Sequence, residues 1–397
     1  MLETRIAKEL AYISQAGLAR RITELYFVNP AQAQDRTGKT YLVLASNNYL
    51  GFTHAPEVIE AASRAALKFG TGSSGSRLTT GGTFIASELE KRLADFKHSE
   101  SALVFNTGYM TNLGVLYGLM QTGDVVFSDE LNHASIIDGC RISRCKVVVY
   151  KHNDMADLQR LLETEIVTGQ RFIVTDGVFS MDGDIADLPS LAVLKKQFNA
   201  CLIVDDAHGV GVIGNDGSGT ASHYGLTDVI DLQVGTLSKA LAAEGGYVAG
   251  KKILIDYLIN RSRPFIFSTA LAPATLAAAN AALLLLQTQA SKYLDSLRAN
   301  SRLMRRLLLE GGLNVVEGIT PIMPVVIGEA GLTMHFADRL KSKGILVSGI
   351  RPPTVPRGES RLRITVTAAH CEEQLRQAAQ IITALWQELK HGEKKEG

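Results

Sequence analysis

Short apolar runs at 102–105, 125–127, 146–150, 172–175, 201–204 and 230–234 alternate with longer stretches whose apolar residues recur at helical spacing. From Ser101 to about Tyr247 this reads as strand after helix, the pattern of a mostly parallel sheet with helices on both faces. The flanks read differently. Leu2, Ile6, Leu10, Ile13 and Leu18 predict an amphipathic helix within residues 1–25, and Tyr41–Leu44 a short strand ending at Ser46-Asn-Asn-Tyr-Leu-Gly51. A long helical region runs from Ala270 to about Leu309. Strands follow at Ile322–Ile327, Ile345–Ser348 and Arg361–Thr367, with a closing helix at Glu372–Leu389. The class is therefore α/β: an N-terminal helix and strand segment over 1–45, a large domain over 46–285, and a smaller α+β domain over 286–397.

Composition narrows the function classes. The chain has 397 residues, enough for a large core, and 41 basic against 40 acidic side chains. With the signs interspersed, neither nucleic acid nor a membrane surface is an expected partner. Charges in the first turns, at Glu3 and Arg5, argue against a secretory signal, and the apolar stretch 270–286 is interrupted by Pro273 and Asn280. Cys140, Cys145, Cys201 and Cys371 form no CxxC pair, which fits reduced thiols in a cytoplasmic protein without a metal site.

Polar residues collect where the strands stop. Asn106-Thr-Gly108, Asp176-Gly-Val-Phe-Ser180, Asp205-Asp-Ala-His208 and Thr236-Leu-Ser-Lys239 each follow an apolar run closely. In open sheets ligands bind beyond the carboxyl ends of the strands, so these segments predict one site. A lysine amine, an acid behind a buried strand and a histidine suit pyridoxal 5′-phosphate (PLP). The amine would link to its aldehyde, and the carboxylate would keep the pyridine nitrogen protonated. The same residues taken singly also read as a solvated lysine and a solvated acid pair, so the rest of the chain must decide.

Two glycine loops bear on phosphate binding. Gly70-Thr-Gly-Ser-Ser-Gly75 matches GxGxxG, but residues 56–69 read as a helix, and a dinucleotide fingerprint must follow a strand. Asn106-Thr-Gly108-Tyr109 runs from a strand into a helix, which places the Gly108 and Tyr109 N–H groups at a helix N-terminus, a natural anion site.

Together these segments resemble the α-oxoamine synthases, PLP enzymes of fold type I that join an amino acid to an acyl thioester. The resemblance runs from Ser46-Asn-Asn-Tyr-Leu-Gly51 to Thr365-Val-Thr-Ala-Ala-His370. It rests on Gly70-Thr-Gly-Ser-Ser-Gly-Ser-Arg77, Asn132-His-Ala-Ser135, Gly177-Val-Phe-Ser-Met-Asp-Gly183, Asp205-Asp-Ala-His208, Thr236-Leu-Ser-Lys239 and Arg351-Pro-Pro-Thr-Val-Pro356. Within the family the Asn106–Asn112 and Arg361–His370 stretches are most similar to the biotin-pathway member, which condenses L-alanine with a pimeloyl thioester on coenzyme A or acyl carrier protein. The alternative is the glycine and acetyl-CoA branch. Two departures stand out: Ala86 lies where many relatives have histidine nearby, and Asp176 where glutamate is common.

The resemblance implies roles. Lys239 would hold PLP and serve as the amine base, Asp205 would pair with the pyridine nitrogen, and His208 would bond the ring oxygen. His133 would stack on the ring and orient substrate. Gly108, Tyr109, Ser180 and Thr236 would contact phosphate or ring, and Thr269 the phosphate of a second subunit in a homodimer with shared sites. Arg363 is the candidate for the amino-acid carboxylate, with Arg361 two residues away as the other. Arg20 or Arg21 and Thr354 would meet the acyl substrate, and Asn47 would line the same pocket. Asp206 would be structural.

Overall fold

In the computed structural model, which describes residues 1–15, 18–20 and 22–396 with side chains through 390, the predicted runs line up in a seven-stranded sheet. The order is Ser101–Phe105, Gly246–Gly250, Leu232–Thr236, Cys201–Asp205, Arg171–Asp176, Val125–Asp129, Lys146–Tyr150. The last five are parallel, whereas Gly246–Gly250 runs antiparallel to both neighbours. That strand carries three residues between two glycines, too short a run to show periodicity, and is identified only by its complete burial between partners. The run expected at 230–234 pairs over Leu232–Thr236.

Helices cover both faces. On one, Gly108–Leu119 and Lys252–Arg261 bury Val115, Leu116 and Leu258 against Leu103, Val234 and Val248. On the other, Met155–Thr164 and Leu188–Phe198 bury Leu158, Leu162 and Leu191 against Phe127, Ile173 and Leu202. Each such fully buried side chain is worth about 1.5–3 kcal/mol against exposure. The strands facing both layers are apolar on both sides, which is why they read as unbroken apolar runs.

The helix Pro273–Glu310, non-helical at Gln289, leads out of this unit. It reaches an antiparallel three-stranded sheet ordered Ile322–Gly328, Ser360–Thr365, Ser348–Ile350. The run expected as one strand over Ile345–Ser348 is divided. Ile345–Leu346 pairs parallel with Thr40–Val43, and Ser348–Ile350 joins Ser360–Thr365. Leu276 and Leu283 of the long helix share one core with Val325, Phe336, Ile364 and Leu375, so the C-terminal part is packed rather than tethered. The N-terminal helix forms as Leu2–Gln15, but none of its residues is buried.

Residues 70–75 follow the helix Pro56–Phe69, and the next regular element is the helix Phe84–Phe96. With a helix before the glycines, the dinucleotide reading is excluded.

Candidate active site

The polar segments converge at the carboxyl ends of the parallel strands. A cavity of about 230 Å³ is lined by Gly108, Tyr109, His133, Ser180, Asp205, His208, Thr236 and Lys239, as the sequence predicted. Asn112, Ser135, Asp176 and Ser238 line it as well.

Lys239 is the one lysine that lines it among the described residues. Its Nζ lies 2.9 Å from His208 Nε2, and His208 Nδ1 lies 2.6 Å from the Tyr49 hydroxyl. An ammonium can only donate, so facing a charged Lys239 the His208 Nε2 accepts, and the ring proton on Nδ1 goes to the Tyr49 oxygen. Burial pushes the Lys239 amine down to about 8; Asp205 and Asp176 oppose that shift and Arg363 adds to it. His208 is held well below the usual imidazole range, first by burial and then by the Lys239 and Arg363 charges. Burial likewise lowers His133.

Asp205 and Asp206 sit side by side at a strand end, and they part completely. The Asp205 carboxylate accepts from Asn112 Nδ2 at 2.6 Å and from the Ala207 N–H at 2.9 Å, both neutral donors. It is only 6 % exposed. A buried carboxylate with neutral partners suits an added cation, and a pyridinium nitrogen is one. Asp206 instead forms a buried ion pair with Lys97 Nζ at 2.9 Å and accepts from Thr220 N and Oγ1. That acid is structural.

Asp176 accepts from the His133 N–H at 2.8 Å, which fixes the start of the helix Ala134–Ile142 below the cavity. Burial and the neighbouring Asp205 raise its carboxyl well above the usual range.

The segment expected as an anion site does form a helix N-terminus. Gly108–Leu119 is capped by Thr107, whose side chain accepts from the Met110 N–H. A Cβ on Gly246 would stand 2.6 Å from the Gly108 nitrogen, so only glycine lets the first turn settle on the sheet. Thr236 Oγ1 and Ser238 Oγ, 2.7 Å apart, face this end. The Tyr109 hydroxyl is spent on Asp138, leaving its backbone N–H for an anion. Donors and dipole fit a phosphate, the Asp205 carboxylate a ring nitrogen, and Lys239 an aldehyde.

The arginines are separated by their partners. Arg361 is paired with Asp182 and, at 3.0 Å, with Glu359. Among the described residues Arg363 has only neutral acceptors: the Ser180 carbonyl at 2.5 Å, Asn47 Oδ1 at 3.2 Å and Thr365 Oγ1 at 3.2 Å. It keeps an unmatched charge beside Lys239. Asn47 thus orients Arg363 and also lines, with Lys239, a second cleft of about 650 Å³. Thr354 lies on an adjoining cavity that His133 and Ser180 share. Thr269 and Arg20 are exposed and line none of these cavities, and Arg21 lies outside the described residues.

Sequence reasoning passed over Asn112, Tyr49 and Ser238 as site residues. Asn112 lies four residues beyond Gly108, one turn up the same helix face, a spacing that could have pointed to it. Nothing local points Tyr49 at His208, 159 positions away.

Comparison with known proteins agrees with this geometry. A family model described as Aminotransferase class I and II matches residues 39–382. The 8-amino-7-oxononanoate synthase of Trichlorobacter lovleyi is 49 % identical over 385 residues, 97 % of this chain and 98 % of that protein. The protein of the same name from Lysinibacillus sphaericus is 47 % identical over 374 residues, 94 % and 96 % of the two chains. Among solved structures, a serine palmitoyltransferase variant from S. paucimobilis with a bound PLP–myriocin aldimine is 31 % identical, with a TM-score of 0.91 over 97 % of each chain. The chain thus has the PLP-dependent fold type I, takes pyridoxal phosphate as its cofactor, and belongs to the class I and II aminotransferase family, among its 8-amino-7-oxononanoate synthases.

Proposed function

We propose that the enzyme condenses L-alanine with a pimeloyl thioester to give 8-amino-7-oxononanoate, CO2 and the free thiol carrier. In this reaction a C–C bond forms between the alanine α-carbon and the thioester carbonyl while the C–S bond breaks. The carboxylate leaves as CO2, and a proton takes its place on the α-carbon. Bound pyridoxal phosphate supplies the electron sink for both the deprotonation and the decarboxylation.

The chain's own groups do the rest. Lys239 is the attachment point and, once freed, takes and returns the α-proton at Nζ; an amine held near 8 has a useful neutral fraction at physiological pH. Asp205, braced by Asn112, faces the ring nitrogen, and His208, backed by Tyr49, the ring oxygen. His133 covers the ring and meets substrate. Gly108, Tyr109, Ser180, Thr236 and Ser238 hold the phosphate end. Arg363 binds the amino-acid carboxylate, since a planar guanidinium with only neutral partners is suited to bidentate pairing. Thr269, exposed on this chain, serves the phosphate of a second copy in a homodimer, while Arg20 or Arg21, together with Thr354, contacts the acyl donor.

One observation carries this reading above the others. A buried lysine amine bonds a neutral imidazole beside a buried carboxylate that has no cationic hydrogen-bond partner among the described residues.

The test is thiol release by PLP-loaded protein, crossing L-alanine, glycine and L-serine with pimeloyl and acetyl thioesters. Preference for alanine plus pimeloyl, with the aminoketone seen by mass, is the expected result. Preference for glycine plus acetyl would overturn the substrate assignment and leave the Lys239 chemistry in place.

A further inference from the structure

The cavity that adjoins the cofactor cavity through His133 and Ser180 is larger, about 760 Å³. Leu131, Ile137, Phe179, Met181 and Val355 give it apolar walls suited to a methylene chain. Its charged groups are Glu130, Asp182, Glu359 and Arg361, so Arg361 is the one cation among the described residues that line it.

Arg361 and Arg363 stand two residues apart on the strand Ser360–Thr365 and project from the same face. They grip the same turn two residues apart as well: Arg363 donates to the Ser180 carbonyl and Arg361 to the Asp182 carboxylate. Two residues span about 7 Å along a strand. The long arginine stems can splay beyond that, as the joined substrates, longer than the acyl chain alone, require.

We infer that this second cavity takes the acyl chain and that Arg361 recognises the carboxylate at its far end. The strand then offers one guanidinium to each end of the joined substrates: Arg363 to the amino-acid carboxylate, Arg361 to the acyl tail. The inference rests on the reading of the reaction given above and assigns it a tail-specificity residue.

Arg361 is buried and already paired, so a tail carboxylate must displace something. Glu359 is the group to yield. Its side chain is 55 % exposed, against 27 % for Asp182, so it can turn to water at little desolvation cost. Three acids on these walls repel any tail carboxylate that stops short of the guanidinium, which makes the cavity selective for length as well as charge.

The experiment compares pimeloyl and heptanoyl coenzyme A esters, equal in length but with a carboxylate or a methyl end, as donors to L-alanine on the PLP-loaded enzyme. The pimeloyl-to-heptanoyl ratio of kcat/KM should exceed one in the wild type. It should fall about tenfold or more in Arg361→Gln, through KM rather than kcat. Glu359→Gln removes the competing acid from an exposed position and should raise the ratio. It serves as the independent arm if Arg361→Gln fails to load cofactor. A ratio near one in the wild type, or one unmoved by both substitutions, overturns the role of Arg361 while leaving the condensation itself intact. No thiol release with alanine and either ester would overturn the condensation reading, and the inference with it.

Discussion

Two polar clusters beyond the strand ends of the same sheet treat charge in opposite ways. Around His152 the chain supplies every counter-ion: Nδ1 lies 3.0 Å from Asp129 and Nε2 2.9 Å from Asp184. Burial alone would lower this histidine, but the two carboxylates outweigh it and raise it to about 10. The Lys97–Asp206 pair is closed in the same way. In the cluster around Lys239, groups are pushed toward their neutral forms: Lys239, His208 and His133 downward, Asp176 upward, each chiefly by burial. Closed clusters hold the backbone. The open one lacks the counter-charges that a phosphate, a ring cation and a carboxylate would bring, which is how a binding site differs electrostatically from a brace.

The contrast can be broken at several points. Lys239→Ala should abolish turnover, by roughly 10³-fold or more, and remove the visible absorbance of covalently held cofactor. An active variant would refute the assignment. Asp205→Asn keeps the shape and the bond from the Ala207 N–H, and its new NH2 can be met by the Asn112 amide oxygen after a flip. It should therefore cut kcat by roughly 10²-fold, with only a small fall in thermal midpoint. Lys97→Met should do the reverse. It leaves Asp206 buried without its partner, costing about 3–5 kcal/mol in denaturant unfolding, with little change in kcat of the folded fraction. If Lys97→Met lost activity at full stability, the division into brace and site would fail.

A subtler effect is in pH. His152 is raised from 6.5 to about 10 on folding, so its stabilisation is fully present below pH 6.5 and is lost as pH rises through about 10. His370 has the opposite sign. Burial lowers it to about 4, so it costs nothing above pH 6.5 and destabilises as pH falls toward 4. Thermal midpoints across this range should decline at both ends, and His152→Gln should flatten the alkaline limb alone.

Much of the site was legible because its residues follow apolar strands at short, fixed distances. Lys239 lies three residues after the strand Leu232–Thr236, and Asp205 ends its own strand. Once the strands pair in parallel, their carboxyl ends must meet, so Asp205, His208, Thr236 and Lys239 were bound to share a cavity. What was not legible depended on partners far away. Arg361 and Arg363 look alike in the chain, and only Asp182 and Glu359 on one, against Ser180 and Asn47 on the other, distinguish them. The strand Gly246–Gly250 and the division at Val347 escaped for a related reason, since each is defined by what it pairs with rather than by a pattern of its own.

Sequence by itself therefore determined the class of sheet, the helix N-terminus at Gly108, and the acid, imidazole and amine that stand beyond the strand ends. These follow from periodicity and chain direction, which are local. Tertiary structure decided which of two neighbouring acids is a brace, which of two neighbouring arginines is tied to acidic partners, and which tautomer Tyr49 supports on His208. Those outcomes depend on burial and on counter-charges delivered from remote segments, and neither is encoded in the spacing of nearby residues.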